Sequence, residues 1–453
     1  MIHTYRLGGY NIAIDVNSGA IHSLSDAAYD VLENITEIRG CCPESVLNNP
    51  NLNKYSILEI SEAYSELKKL HAEGMLFSDD DYLDINKAIP DSFPLKALCL
   101  HVSHDCNLRC EYCFASTGDF GAGRKLMPES IARAAIDYVI ARSGSRRNIE
   151  IDFFGGEPLM NFDVVKSTVE YAKKQGGLHD KVFRFTLTTN GVLLNDGISD
   201  YINENMDNIV LSLDGRREIN DCFRKTVNGK GSYDTILPKF KYLTDNRDTS
   251  RDYYLRGTFT NKNPDFINDV LHLAGLGFSE LSLEPVVAKP DMKYALSEAD
   301  LPAIFAEYEE LAEIMKDRDD FRFFHFTVDL NQGPCVIKRV RGCGAGYEYA
   351  AVSPEGHVYP CHQFVGMPEF IMGNVSDDSF DESVSEKFIG QNIFTREKCG
   401  ECWAKYYCSG GCGAANYNIN GDLNIPYELG CRLEKKRLEC AIMLKVHKFM
   451  KSS

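Results

Sequence analysis

The sequence predicts an α/β protein built on a partial (β/α)6 barrel, with a winged-helix-like domain before it and a cysteine-rich domain after it. Three observations predict this. Between residues 95 and 300 short apolar strands alternate with helical stretches; a hairpin and two helices fill residues 1–85; and nine of the sixteen cysteines fall after Gly333.

Tyr10 to Val16 alternates apolar and polar residues, Asn17-Ser-Gly19 makes a turn, and Ala20 to Leu24 returns, which is a hairpin pattern. Asp26 is placed to cap a helix carrying Ala28, Val31 and Leu32. A second helix carries Ile57, Ile60, Tyr64, Leu67 and Leu70 at helical spacing and stops at Gly74. Such a module can bind DNA, but residues 1–80 hold five Lys or Arg against twelve Asp or Glu, and a net of -7 would repel phosphates. The polar stretch from Asp79 to Pro94 reads as a linker. Strands follow at Leu98–Val102, Ile149–Phe154, Phe183–Thr188, Ile209–Leu213, Tyr254–Phe259 and Leu281–Pro285. Six strand-helix units joined by right-handed crossovers make an open, partial barrel. Residues 330–453 form the third domain.

With a net charge of -17 the chain is not expected to bind nucleic acid or an anionic membrane surface. No charged-then-apolar signal segment and no bilayer-length apolar run is visible, so the expected location is the cytoplasm. Thiols stay reduced there. Clustered cysteines therefore point to metal rather than to disulfides.

Cys106, Cys110 and Cys113 lie on one short loop after the first barrel strand. Three thiolates at this spacing can hold three irons of a 4Fe-4S cube and leave the fourth open, whereas structural zinc takes four protein ligands. After the next strand comes Gly155-Gly-Glu-Pro158, where glycines allow close backbone approach and Glu157 offers an acceptor suited to an ammonium group. Thr188-Thr-Asn-Gly191 and Ser212-Leu-Asp-Gly215 end two further strands, and Arg224 follows. Ligands of open parallel sheets bind at such strand ends. Thr189 and Asp214 are equally good turn formers.

These motifs resemble those of radical S-adenosylmethionine enzymes. The resemblance implies that the open iron chelates the cofactor, that Gly155, Gly156 and Glu157 receive its amino group, and that Ser212 binds its ribose. It implies also that Arg224 pairs with its carboxylate, that Tyr112 lies near the adenine, and that Thr188 and Asp214 help line the pocket. Reductive cleavage would then yield a 5'-deoxyadenosyl radical. The later cysteines, Cys343-x12-Gly356-x4-Cys361, then Cys399-x2-Cys402-x5-Cys408-x3-Cys412, then Cys431, are similar to a SPASM domain with two auxiliary 4Fe-4S clusters. By that likeness Cys399, Cys402, Cys408 and Cys431 hold the outer cluster, and Cys343, Cys361 and Cys412 the inner one. Three clusters are expected in all. Either Cys335 completes the inner cluster or a substrate thiolate does. Two readings of His362, after Cys361, also stand side by side: a proton acceptor near neutral pH, or a surface histidine. Sulfatase-maturing relatives carry an acidic residue there.

An N-terminal recognition module, a radical core and two auxiliary clusters together resemble peptide maturases, nearest those of the clostridial six-cysteines-in-forty-five-residues (SCIFF) peptides. This likeness implies a sactipeptide-type thioether between a cysteine sulfur and a carbon of the same precursor. It implies as partners a cysteine-rich precursor whose leader adds a strand to the hairpin edge, and a flavodoxin- or ferredoxin-type electron donor. The rivals are a sulfatase-maturing oxidation of Cys or Ser to formylglycine, and a non-enzymatic iron-sulfur redox sensor.

Overall fold

The computed structural model describes residues 1–80, 82, 84, 93–328, 330 and 336–452. Strands β1 (Ile2–Leu7), β2 (Tyr10–Asp15) and β3 (Ile21–Leu24) form an antiparallel sheet in that order, so a third strand precedes the expected hairpin. β1 lacks a run of buried apolar positions: its one buried residue is Tyr5, whose hydroxyl donates to the Glu439 carbonyl at 3.0 Å. Helices α1 (Asp26–Glu33), α2 (Glu44–Leu47) and α3 (Ile57–Ala72) complete the module. The cap of α1 is Ser25 and not Asp26. Ser25 Oγ accepts from the Ala28 amide at 3.2 Å, which leaves Asp26 in the first turn, where its charge favours the helix dipole. A capping box between Ser56 and Glu59 starts α3, which buries Ile60, Ala63, Tyr64 and Leu67 on one face.

Six parallel strands build the barrel wall: β4 (Ala97–Ser103), β5 (Asn148–Gly155), β6 (Val182–Thr189), β7 (Asn208–Ser212), β8 (Asp252–Phe259) and β9 (Glu280–Pro285). Alternation explains their placement. On β5 and β6, Ile149, Ile151, Phe153, Phe185 and Leu187 are buried in the core under the connecting helices, each contributing about 1.5–3 kcal/mol. The residues between them, Asp152, Phe154, Thr186 and Thr188, take the inner face.

The sheet does not stop at the barrel. β10 (Arg322–Phe323) extends one edge, and β11 (Tyr349–Val352) pairs in parallel with β4 on the other. β12 (His357–Tyr359), β13 (Gly373–Asn374) and β14 (Ser379–Phe380) continue it antiparallel, giving one eleven-stranded sheet across the barrel and the cysteine-rich domain. Glu348 fastens the seam: its carboxylate takes Lys96 at 3.2 Å and Arg146 at 2.5 Å, and its carbonyl accepts from the Lys96 amide at 2.8 Å. Most of the expected linker lies outside the described residues. Its start is anchored, since Asp80 accepts from Lys405 at 2.8 Å and from Tyr406 at 2.6 Å.

The N-terminal sheet is not a loosely tethered bead. Ile12 and Ile14 join the main core while Ala13, on the other face of β2, joins the module's own. Along the C-terminal helix (Glu428–Ser452), His3 lies 3.1 Å from Glu439, and the Tyr10 hydroxyl lies 2.9 Å from His447. His3 also stacks on Trp403, centroids 4.0 Å apart and planes within 4°. Among the described residues no helix is long and apolar enough to cross a membrane.

Trp403 is the chain's single tryptophan, so its emission reports this contact directly. A stacked pair contributes about 0.5–1.5 kcal/mol beyond its area. His3→Ala should move the emission to longer wavelength and raise quenching by acrylamide. Unchanged emission and quenching would show that the stack does not persist in solution.

Candidate functional site

The fully buried β4 delivers the chain to the loop bearing Cys106, Cys110 and Cys113. Close backbone approach shapes that loop. At Gly155, φ is +127° and an added Cβ would lie 2.2 Å from the Ser103 carbonyl oxygen; at Gly156 it would lie 2.3 Å from that of Asp105. Gly156 N donates to Ser103 O at 2.7 Å and Glu157 N to Asp105 O at 2.9 Å. The end of β5 is thereby laced to the cysteine loop. Asn190, which the sequence reading left out although it sits in the Thr-Thr-Asn-Gly run, donates to Cys106 Sγ at 3.5 Å and to Asn107 Oδ1 at 2.7 Å.

The three thiols lie close enough to act on one another's charge. Burial, then Glu157, pushes Cys106 up to about 12; burial pushes Cys110 up to about 11 against the pull of Arg224, and raises Cys113 as well. Without a cation these thiols keep their protons, and coordination to iron would displace them. Among the described residues no three His, Cys, Asp or Glu side chains converge on a single metal ion. In a cluster each thiolate takes a different iron.

Glu157 is buried and already receives three donors: Leu159 N at 3.1 Å, Thr189 Oγ1 at 2.7 Å and Asn190 N at 2.8 Å. Its carboxylate ties the end of β5 to that of β6. Tyr112 donates to Asp214 Oδ2 at 2.5 Å and accepts from Arg224 Nη1 at 3.0 Å, while Asp214 Oδ1 accepts from Thr258 N at 3.1 Å. Burial raises the Asp214 carboxyl and Arg224 opposes it. Among the described residues Arg224 Nε and Asn107 Nδ2 are buried donors without a partner. Thr188 and Ser212 lie half-buried at the ends of β6 and β7.

The later cysteines fall into two groups. Cys408 has Cys399, Cys402 and Cys431 as electrostatic neighbours, and Cys361 has Cys412 and Cys343. Cys335 lies outside the described residues. Burial raises the thiols of Cys361, Cys399, Cys408 and Cys412, and takes Cys431 up to about 11. Arg396, absent from the sequence reading because nothing in its local pattern marks it, fixes the Cys408–Cys412 turn by donating to the Gly410 and Gly411 carbonyls at 2.6 and 3.2 Å.

His362 is not on the outer surface. Its ring lies 5.2 Å from Phe154 on the inner face of the barrel and 5.7 Å from Phe114, beside Cys113, with Nδ1 3.3 Å from the Tyr349 hydroxyl. Burial, reinforced by Arg256, holds its pKa down to about 4, so the imidazole is neutral at pH 7. It stands between the radical loop and the Cys343, Cys361 and Cys412 group.

Three thiols behind a glycine cradle, with unpartnered Arg224 and Asn107 donors beside them, suit a cluster and an anionic ligand group at the carboxyl ends of the strands. Residues 100–266 match the radical SAM superfamily, and residues 343–403 match the SPASM iron-sulfur cluster-binding domain. The chain belongs to the radical SAM superfamily, carries a SPASM domain, and binds S-adenosylmethionine and iron-sulfur clusters.

The cysteine-type anaerobic sulfatase-maturating enzyme of Clostridium novyi is 26% identical over 342 residues, 70% of this chain and 87% of that protein. The radical SAM cyclopropyl synthase TigE of Paramaledivibacter caminithermalis is 23% identical over 445 residues, 91% of this chain and 90% of that one. In fold, native anSMEcpe with bound AdoMet is similar at a TM-score of 0.66 and 20% identity, covering 79% of this chain and 100% of that one. Streptococcus suis SuiB bound to S-adenosylmethionine is similar at 0.53 and 17% identity, covering 94% and 97%.

Gly155→Ala tests the cradle. The methyl group must displace the Ser103 carbonyl and with it the start of the cysteine loop. The variant should lose at least about tenfold in 5'-deoxyadenosine formation, a barrier change of about 1.4 kcal/mol or more, while the SPASM-bound iron is retained. Wild-type cleavage in this variant would contradict the close packing.

Proposed function

We propose that this radical SAM enzyme is a peptide maturase that joins a cysteine sulfur to a carbon of another residue within one ribosomally made precursor. It would use three 4Fe-4S clusters and a flavodoxin- or ferredoxin-type donor. The observation that carries the reading is a groove of about 960 Å³ between the outer edge of β3, α3 and the end of the C-terminal helix, with Ile21, Leu70, Val446 and Met450 among its walls. β3 ends its sheet, so an extended peptide can add a fourth strand there and set alternate side chains against these apolar walls. The likeness in fold to Streptococcus suis SuiB bound to precursor peptide SuiA also favours a peptide substrate.

Cys106, Cys110 and Cys113 would hold a cluster that, with S-adenosylmethionine bound, would supply the radical chemistry for removing hydrogen from the peptide. The chain's residues do the rest. Glu157 and Asn190 hold the strand ends around the site, and Arg224, with Tyr112 and Asp214 against it, offers Nε to the cofactor's carboxylate. Cys343, Cys361 and Cys412, which lie within electrostatic reach of one another, would hold the inner cluster, with either a substrate sulfur or Cys335 as the fourth ligand. His362 faces the barrel, but with its pKa held down to about 4 it is a weak base, which counts against the proton-acceptor reading.

A second reading, formylglycine formation, is favoured by the likeness to the sulfatase-maturating enzyme. Mass spectrometry separates the two. Thioether formation yields a peptide two hydrogens lighter that keeps its sulfur and no longer reacts with iodoacetamide. Loss of sulfur with gain of an aldehyde would sink the proposal. Leu70→Glu, which puts a charge in the groove, should weaken binding of a leader-bearing peptide by about tenfold, or 1.4 kcal/mol. Unchanged affinity would remove the groove from recognition.

A further inference from the structure

We propose that Arg256 forms a carboxylate-binding subsite inside the barrel, which selects an aspartate or glutamate side chain of the peptide presented to the radical. The inference rests on the peptide-maturase reading and names a substrate feature within it. Arg256 is exposed on β8 between buried Leu255 and Gly257, so alternation puts it on the inner face. Its register partners are Ser212, the last residue of β7, and Ser282 on β9.

Among the described residues the Arg256 guanidinium makes no hydrogen bond or ion pair. The nearby cations differ: Arg216 is paired with Asp269, Arg322 with Glu280 and Arg437 with Glu434. Glu284, the acid within electrostatic reach of Arg256, is committed elsewhere, to Ser282 Oγ at 2.9 Å and His325 Nε2 at 3.0 Å. His362, next to Cys361, is also within electrostatic reach of Arg256. A planar fork of donors is thus left facing the space between the cofactor pocket and the inner cysteine group. Such a fork matches a carboxylate in two parallel hydrogen bonds.

The cofactor's methionyl group is the other source of a carboxylate, and the test separates the two. Two fluorescein-labelled heptapeptides, acetyl-Gly-Cys-Gly-Gly-Asp-Gly-Gly-amide and its Asn counterpart, are titrated against cluster-loaded protein with S-adenosylmethionine present. The cofactor's own affinity is measured by equilibrium dialysis. Wild type should bind the Asp peptide at least about tenfold more tightly than the Asn peptide, as expected for a charge-assisted hydrogen bond. Arg256→Gln should erase that preference and Arg256→Lys should restore part of it. Equal binding of the two peptides by wild type, or a preference that survives in Arg256→Gln, overturns the subsite. So does a tenfold weakening of S-adenosylmethionine in Arg256→Gln, which would give Arg256 to the cofactor. If the preference holds and no sulfur-carbon bond forms on any cysteine peptide, the subsite stands and the thioether reading fails.

Discussion

The parallel pairing of β4 with β11 is the constraint on which the site depends. β4 ends in the loop of Cys106, Cys110 and Cys113, while β11 lies between Cys343 and the β12 turn that reaches Cys361. One sheet therefore sets the spacing between the radical loop and the inner cysteine group. The buried Glu348 carboxylate holds the seam with Lys96 and Arg146. Removing one partner from such a group leaves a charge without compensation, at a cost of about 3–5 kcal/mol for a fully buried pair and less here, where Lys96 and Arg146 keep some exposure.

The same frame reaches the N-terminal module by a different route. Ile12 and Ile14 help fill the main core, His3 stacks on Trp403 beside Cys402, and Asp80 binds Lys405 and Tyr406 three and four residues beyond that cysteine. A peptide held between β3, α3 and the C-terminal helix would lie against the helix that also carries Cys431. Removing residues 1–85 would strip apolar cover from the core as well as the groove, so point substitutions in the groove report recognition more cleanly than a truncation.

The six barrel strands were legible because their alternation is local, and the cysteine spacings because three or four ligands fall within a few residues of one another. What escaped depends on distant partners. β1 is held by Glu439 and Trp403, four hundred residues or more away, and β10 to β14 are two to four residues long with pairing that no local pattern reveals. Asp26 has a capping side chain, but Ser25 precedes it and its shorter hydroxyl takes the cap. Glu157 was readable as an acceptor. That protein donors fill it could be seen only once β6 lay beside β5. Arg256 and Arg396 carry no motif of their own, and Asn190, though it lies in the Thr-Thr-Asn-Gly run, shows its contact with Cys106 and Asn107 only in the folded chain.

The central proposal is that the three separate cysteine groups each hold a cluster. Iron and zinc analysis with Mössbauer spectroscopy on anaerobically reconstituted protein tests it most directly. The account predicts about twelve irons per chain for wild type, and about eight, with the auxiliary signals unchanged, when Cys106, Cys110 and Cys113 are replaced by Ala. About four irons in wild type with zinc in the C-terminal part would contradict it, as would loss of every cluster signal in the triple variant when it is otherwise folded.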